Sequence, residues 1–474
     1  MAFAMNPNAR QRIRPSHPTK NKTDYPMKPS RTSRRDFVKQ AAAAAGSLIS
    51  LPVLAETSFY QASTDDSIKV ALIGCGGRGT GAAMQALLTK QNVTLVAMAD
   101  AFRDRIDECY NALMQDDLSD WSGAAGNVKH KVKVSEETKF TGFDGYRKAI
   151  PLADVVILAT PPGFRPIHFE EAVRQGKHVF MEKPLATDPA GVKKVLESAA
   201  VARQKKLNVV VGLQRRYQTS YRELYKKFKD GLAGEMISAQ AWWNSDGVWV
   251  IPRKYNQTEM EYQMRNWFYF NWLCGDHIVE QHIHNIDVIN WFKGGYPVKA
   301  QGMGGRQVRT GKEYGEIFDH HYVEFTYADG SILNSQCRHI KGTLSRVDEM
   351  LQGTKGTIHF GNGNITDRKG KVLFQFDRSK ENNPYQTEHD ELFDAIARRE
   401  YKFDDTENGA KSTLTAIMGR MATYSGQLMV WDKVLNSNIS IMPAVFDFDA
   451  LPPVLPDAEG RYPVAVPGQT SFFA

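Results

Sequence analysis

Residues 68–81 read Ile-Lys-Val-Ala-Leu-Ile-Gly-Cys-Gly-Gly-Arg-Gly-Thr-Gly, an apolar strand running into a glycine-rich turn and then a helical segment. Gly74, Gly76 and Gly79 form G-x-G-x-x-G, with Gly77 and Arg78 inside the turn. Asp100 ends a second apolar run, Val93–Ala99, twenty-one residues past Gly79. Glycines at this spacing let the backbone approach a pyrophosphate at a helix N-terminus, and an acid at that distance accepts from ribose hydroxyls. The pattern predicts a dinucleotide site selective for NAD, with Arg103 and Arg105 near enough to admit NADP. A plain glycine turn beside a surface aspartate is the alternative.

Downstream, strand and helix signals alternate. The strand Asp154–Pro162 ends in Thr160 and Pro161, a helical stretch covers 167–175, and His178–Pro184 is a strand followed by a helix over 192–205 and the strand Leu207–Leu213. This order predicts a parallel doubly wound α/β domain over residues 65–213. From 214 to 440 the texture changes to longer, aromatic-rich alternating strands: MISAQAWW, GGRQVR, DHHYVEFTYADGS and TIHFGN. The hairpin signals ADGS and GNGN predict a large, mainly antiparallel open sheet in a second α/β domain. Helical segments at 388–398 and 410–435 return before a tail, 441–474. A chain of 474 residues exceeds what one hydrophobic core supports, which agrees with two domains.

The chain carries 60 Lys and Arg against 53 Asp and Glu, a net charge of +7. Ten of those bases and two of the acids lie in residues 1–55, so the remainder is near neutral, 50 against 51. A nucleic-acid-binding body would keep its basic excess, so no nucleic acid partner is expected. Ser33, Arg34, Arg35, Asp36, Phe37 and Lys39 precede the weakly apolar stretch 41–55. They resemble a twin-arginine export signal, and Ala55 closes a small-x-small cleavage pattern. Gly46, Ser47, Ser50 and Pro52 interrupt the stretch, which is too short for stable membrane insertion. A leader at 1–55 and a linker at 56–64 therefore predict a periplasmic or otherwise exported protein that engages the twin-arginine machinery; an uncleaved basic arm is the alternative. Cys75, Cys109, Cys274 and Cys337 have neither finger nor redox spacing and read as free thiols.

Two further stretches carry chemistry. In MEKPLATD, residues 181–188, Glu182 and Lys183 sit at a strand's C-terminal end, where open α/β sheets form their ligand crevice. There a cation can stabilise an alkoxide. In GDHIVEQHIHNIDVINW, residues 275–291, Glu280 and His284 share a helix face with His277 one turn earlier, and His282 points elsewhere. A carboxylate beside an imidazole raises its basicity and suits a general base. The same face could instead hold a metal through His277, Glu280 and His284, although no other cluster completes such a site and none is expected; histidines satisfied in the core are a third reading.

The ordered motifs IGCGGRG, ATPP, GKHVFMEKP, GLQRRYQ and EQHIHNID, running from Ile68 towards Leu435, resemble the Gfo/Idh/MocA family. The resemblance implies a Rossmann domain followed by an α/β domain whose open sheet mediates dimers or tetramers. It implies that Lys183 contacts the reacting hydroxyl and that His284 is the acid or base. Glu280 falls where many members carry Asp. The implied activity is NAD(P)-dependent oxidation of a hydroxyl on a sugar, polyol or glycoside. With the leader, it suggests a tightly bound NAD recycled on the enzyme. NAD-dependent glycoside hydrolysis and a non-catalytic sugar-binding protein are the alternatives. The cofactor set is Gly74, Gly76, Gly77, Arg78, Gly79, Asp100, Arg103, Thr160, Pro161, Glu182 and Lys183. Substrate contacts are expected from Lys183, Arg215, Tyr217, Asn244, His284, His321 and Tyr385. Only one of His320 and His321 can face inward, because adjacent strand residues alternate. The aromatic faces of Trp242, Trp243, Trp249, Trp267 and Trp272 suit either a sugar ring or the core.

Overall fold

The computed structural model describes residues 67–116 and 127–473. The expected leader and linker lie outside these residues, as does the middle of the polar insertion that follows residue 114.

The first sheet contains β1 (Ile68–Ile73), β2 (Val93–Asp100), β3 (Lys139–Thr141), β4 (Val155–Leu158), β5 (His178–Met181) and β6 (Val209–Val211). All pairings are parallel, in the order β3-β2-β1-β4-β5-β6. The run Val155-Val-Ile-Leu158 is fully buried, as expected where helices cover both faces of a parallel sheet. Those helices include α1 (Gly77–Leu87), α2 (Arg103–Leu113), α3 (Arg165–Arg174) and α4 (Pro189–Gln204). Asp188 caps α4, its carboxylate accepting from Gly191 N at 2.7 Å. Strand order reverses between β1 and β4, so a crevice opens beyond their C-terminal ends.

The second sheet has nine strands: β7 (Met236–Ser245), β8 (Lys299–Gly305), β9 (His320–Thr326), β10 (Ile332–His339), β11 (Arg346–Gly353), β12 (Gly356–His359), β13 (Asn364–Asp367), β14 (Val372–Gln375) and β15 (Met429–Val430). Their order is β14-β13-β12-β11-β7-β10-β9-β8-β15, antiparallel except for the parallel pair β7–β10. Both expected hairpins form: Gly330 turns β9 into β10, and Gly363 turns β12 into β13. One face is covered by α5 (His277–Glu280), α6 (Ile283–Lys293) and α8 (Thr406–Ser425), while α7 (Pro384–Ala397) packs beside α1. Helix α8 is almost wholly buried because it lies against both β8 and α4.

Three local expectations are corrected. The helix expected over 410–435 stops at Ser425, where Gly426 at φ +71° caps it, and Met429–Val430 join the sheet. The strand GGRQVR ends at Gly305, because Asp319 Oδ2 draws in the N–H groups of Gln307, Val308 and Arg309 at 2.6–3.0 Å. The helix expected through 275–291 is two pieces, α5 and α6. Between them Gln281 Oε1 accepts from His339 Nε2 at 2.6 Å and His282 Nε2 meets Ser335 Oγ at 2.7 Å, so both side chains are pinned to β10. All four cysteines are buried free thiols. Among the described residues no helix is long and apolar enough to cross a membrane.

Candidate active site

The glycines at the β1–α1 turn have distinct tasks. Gly74 has φ +97°, and a Cβ there would stand 2.4 Å from Thr160 N, so the turn touches the end of β4. A Cβ at Gly79 would stand 1.9 Å from Gly74 O, so α1 presses directly onto the turn. At Gly76 and Gly77 an added Cβ would meet nothing, leaving open space before the first turn of α1. Close packing behind and an open cradle in front fit a pyrophosphate at the helix N-terminus. Asp100 accepts from Cys75 N at 2.7 Å and Phe102 N at 3.0 Å, which fixes its carboxylate at the end of β2. Burial pushes that carboxyl up, and the two N–H groups oppose the shift. Arg103 is instead held by Asp107 at 3.0 Å and by Glu136 on the surface, so it is drawn away from its expected role.

On the other side of the crevice, buried Glu182 pairs with Arg78 Nε at 3.0 Å. The Arg78 guanidinium lies 5.3 Å over the ring of Tyr385, whose hydroxyl accepts from Gln214 Nε2 at 3.1 Å. Next to Glu182, Lys183 donates from Nζ to Glu280 O at 2.6 Å and to Glu280 Oε1 at 3.0 Å. The Lys183–Pro184 peptide is cis. His284 begins α6, is 8% exposed, and stacks on Trp243 with ring centroids 5.9 Å apart. Burial, followed by the charges of Lys183 and Arg215, holds its imidazole well below the usual histidine range. The expected Glu280–His284 partnership is thus corrected. Breaking the helix gives the carboxylate to Lys183 and leaves a neutral imidazole flanked by two cations.

Three expected substrate contacts turn away. Tyr217 is buried and donates to Asp405 Oδ2 at 2.5 Å, joining the core between β6 and α7. Asn244 stands one residue after Trp243 on β7, and pleat alternation sends it to the face opposite His284. His321 is the inward member of its pair, but it meets Thr423 Oγ1 at 2.9 Å and Asp276 Oδ2 at 3.2 Å in the interior. Arg215 remains near His284 and is anchored by buried Glu349. The metal triad of His277, Glu280 and His284 does not assemble, since Glu280 meets Lys183 and His277 stacks on His339 with centroids 4.2 Å apart. Of the five tryptophans, Trp243 meets His284, whereas Trp272 is 1% exposed and donates to Gln263.

Residues 68–213 match the model of the GFO_IDH_MocA oxidoreductase family, described as having an NAD-binding Rossmann fold. Over those residues the chain is similar to the Gfo/Idh/MocA family. Among curated relatives, an inositol 2-dehydrogenase of Rubrobacter xylanophilus is 24% identical over 297 residues, 62% of this chain and 71% of that protein. A 2,7-anhydro-N-acetylneuraminate hydratase of Escherichia coli is 22% identical over 220 residues, 44% of this chain and 55% of the relative, so the chain spans about half of that protein's length. The fold matches scyllo-inositol dehydrogenase of Lactobacillus casei, solved with NAD(H) and scyllo-inositol, at TM-score 0.56 and 17% identity, covering 77% of this chain and all of that one. It also matches an aldose-aldose oxidoreductase of Caulobacter crescentus at TM-score 0.57 and 17% identity, covering 77% of this chain and 99% of that one.

Sequence reasoning missed Arg165 in this site. It is 1% exposed, donates to Thr160 O at 2.8 Å, and feels the charges of Glu182 and Glu280. Burial brings its guanidinium down to about 10. The signal was available: Arg165 follows the ATPP strand end by three residues, on the crevice side of the sheet.

Proposed function

We propose that this chain is an NAD-dependent oxidoreductase that interconverts a secondary alcohol and a ketone on a sugar, polyol or inositol-like substrate. The observation that carries it is the ammonium of Lys183, held by Glu280 beside a neutral, buried His284 at the mouth of a glycine-turn crevice. NAD, when bound, would accept or return hydride at its nicotinamide. Gly74, Gly76, Gly77, Gly79 and Asp100 would hold its pyrophosphate and ribose. Lys183 hydrogen-bonds the substrate hydroxyl and stabilises the oxygen as negative charge develops. The neutral imidazole of His284 takes the hydroxyl proton as the carbon gives up hydride, so the alcohol becomes a ketone with the proton on the enzyme. Both groups are largely buried, which limits water at the reacting carbon. Similarity to inositol dehydrogenases supports a polyol substrate.

The finer reading is that the twin-arginine-like leader exports the folded protein with NAD already bound, and that a second sugar or carbonyl restores the cofactor on the enzyme. Assembly into a homodimer or homotetramer through the open sheet completes the proposal. Exported protein purified without added cofactor and then denatured should release close to one nicotinamide nucleotide per chain. Lys183→Met and His284→Ala should each lower kcat by about 100- to 10,000-fold while that nucleotide stays bound. Undiminished turnover in both variants would defeat the assignment. Released sugar without net redox change would move it to oxidation followed by elimination, a course that the hydratase relative makes worth measuring.

A further inference from the structure

The residues just before Glu280 turn into the protein interior, where the proposed oxidoreductase chemistry makes no use of them. Asp276 and His277 are fully buried, as are Cys337 at 1% and His321 at 3% exposure. His321 and Cys337 are direct register partners on β9 and β10, so their side chains project together from the covered face of the sheet towards α5. The ring of His277 lies edge-on to that of His321, with centroids 4.8 Å apart.

The nitrogen accounting is incomplete in a way that points to a ligand. Thr423 Oγ1 meets His321 Nδ1 at 2.9 Å, which leaves Nε2 facing the cluster. Both ring nitrogens of His277 are buried without a hydrogen-bond partner, and His321 Nε2 faces only the carboxylate of Asp276. Asp276 reaches towards both rings, with Oδ1 3.7 Å from His277 Nε2 and Oδ2 3.2 Å from His321 Nε2. One ligand atom each from His277, His321 and Cys337 lies within 4.8 Å of the others. Groups this deep are ordinarily paired, and a cation is the partner that two imidazoles, a thiol and a carboxylate share.

We propose that Asp276, His277, His321 and Cys337 form a structural zinc site. A tetrahedral ion with bonds of about 2.0–2.3 Å spaces its ligand atoms about 3.3–3.8 Å apart. His277, His321 and Cys337 need about 1 Å of side-chain movement to close from at most 4.8 Å to that spacing, and Asp276 already stands 3.7 and 3.2 Å from the two imidazoles. Sulfur and imidazole favour zinc over calcium or magnesium. One carboxylate and one thiolate balance the dication, so the buried site is neutral once loaded, with the Cys337 proton released to solvent. Four protein ligands leave no open position, which makes the ion structural. An outer shell is in place, for Asp276 Oδ2 also accepts from Tyr424 Oη at 2.6 Å and Phe318 N at 3.0 Å. The ion would tie α5 to β9 and β10, fixing the helix whose last residue, Glu280, positions Lys183.

The test begins with the full chain purified from zinc-supplemented cells, briefly chelated, and analysed for metal by mass spectrometry. About one zinc per chain is expected. Replacement by cobalt(II) should produce tetrahedral d–d absorption and a thiolate-to-cobalt charge-transfer band. Cys337→Ser should abolish that band, and His321→Asn should lower metal content at least tenfold. NAD binding reports whether each variant has folded; where one has not, the cobalt spectrum of the unaltered protein decides. Folded protein that takes up less than about a tenth of an equivalent, or that shows no thiolate band, would overturn the site. Full metal retention in both folded variants would do the same.

Discussion

At the level of single residues, Glu280 is the position whose role the structure changes most. Its carboxylate and its backbone carbonyl both hold Lys183, so it acts as a positioning residue through that lysine. Glu280→Ala should lower kcat about 10- to 100-fold, the size of one charge-assisted hydrogen bond, with KM little altered. Glu280→Gln, which keeps an acceptor, should recover part of that loss. Steady-state kinetics on a polyol substrate separates the two variants, and an unchanged kcat in Glu280→Ala would leave Lys183 positioned by other means. His284 carries a pH consequence. Its pKa is lowered, so the ring stays neutral as pH falls through the ordinary histidine value of about 6.5. The kcat/KM for alcohol oxidation should therefore show no acid limb near pH 6.5 when measured between pH 8 and pH 6. Both residues could be picked out as ionisable groups four apart. Which of them touches the other could not, because that depends on where the helix breaks.

At the level of elements, the β1–α1 turn tests packing against binding. Gly79→Ala forces a Cβ into the carbonyl of Gly74, a backbone atom that no rotamer change can relieve. It should destabilise the fold by about 1–3 kcal/mol or more and abolish NAD binding. Gly77→Ala meets no protein atom and lies at the start of α1, so thermal stability should hold while NAD affinity falls. Thermal melts alongside NAD titration measure both effects, and equal melting losses in the two variants would contradict the division of labour. The turn was legible because its glycine spacing, the entering strand and the distant Asp100 are all local patterns. The two-piece α5–α6 segment was not, because His339 and Ser335, which pin its junction, arrive from a strand more than fifty residues later.

At the level of the whole molecule, buried histidines couple stability to pH. Burial, then the charges of Arg165 and Arg147, brings His168 down to about 3; burial and Arg78 lower His389 as well. With these folded-state values below the unfolded value of about 6.5, the unfolded chain binds more protons and stability is lost as pH falls below 6.5. Each such group contributes about 1.4 kcal/mol of loss per pH unit there. His389 joins α7 to the first sheet, its ring 4.1 Å from that of Phe180 and both nitrogens unpartnered. His389→Phe should raise stability and flatten the dependence between pH 7.5 and 5.5 in urea unfolding; a slope as steep as before would mean that His389 is not neutral in the folded protein. The sequence by itself determined the doubly wound first domain, the sheet-rich second one and the glycine turn, and it offered Lys183 and His284 as candidates. Each rests on a periodicity or spacing set by neighbours along the chain. Only the tertiary structure decided that Glu280 serves Lys183, that Tyr217, Asn244 and His321 leave the crevice, and that Arg165 enters it. Those outcomes depend on strand register and on partners far apart in sequence, and no local pattern encodes them.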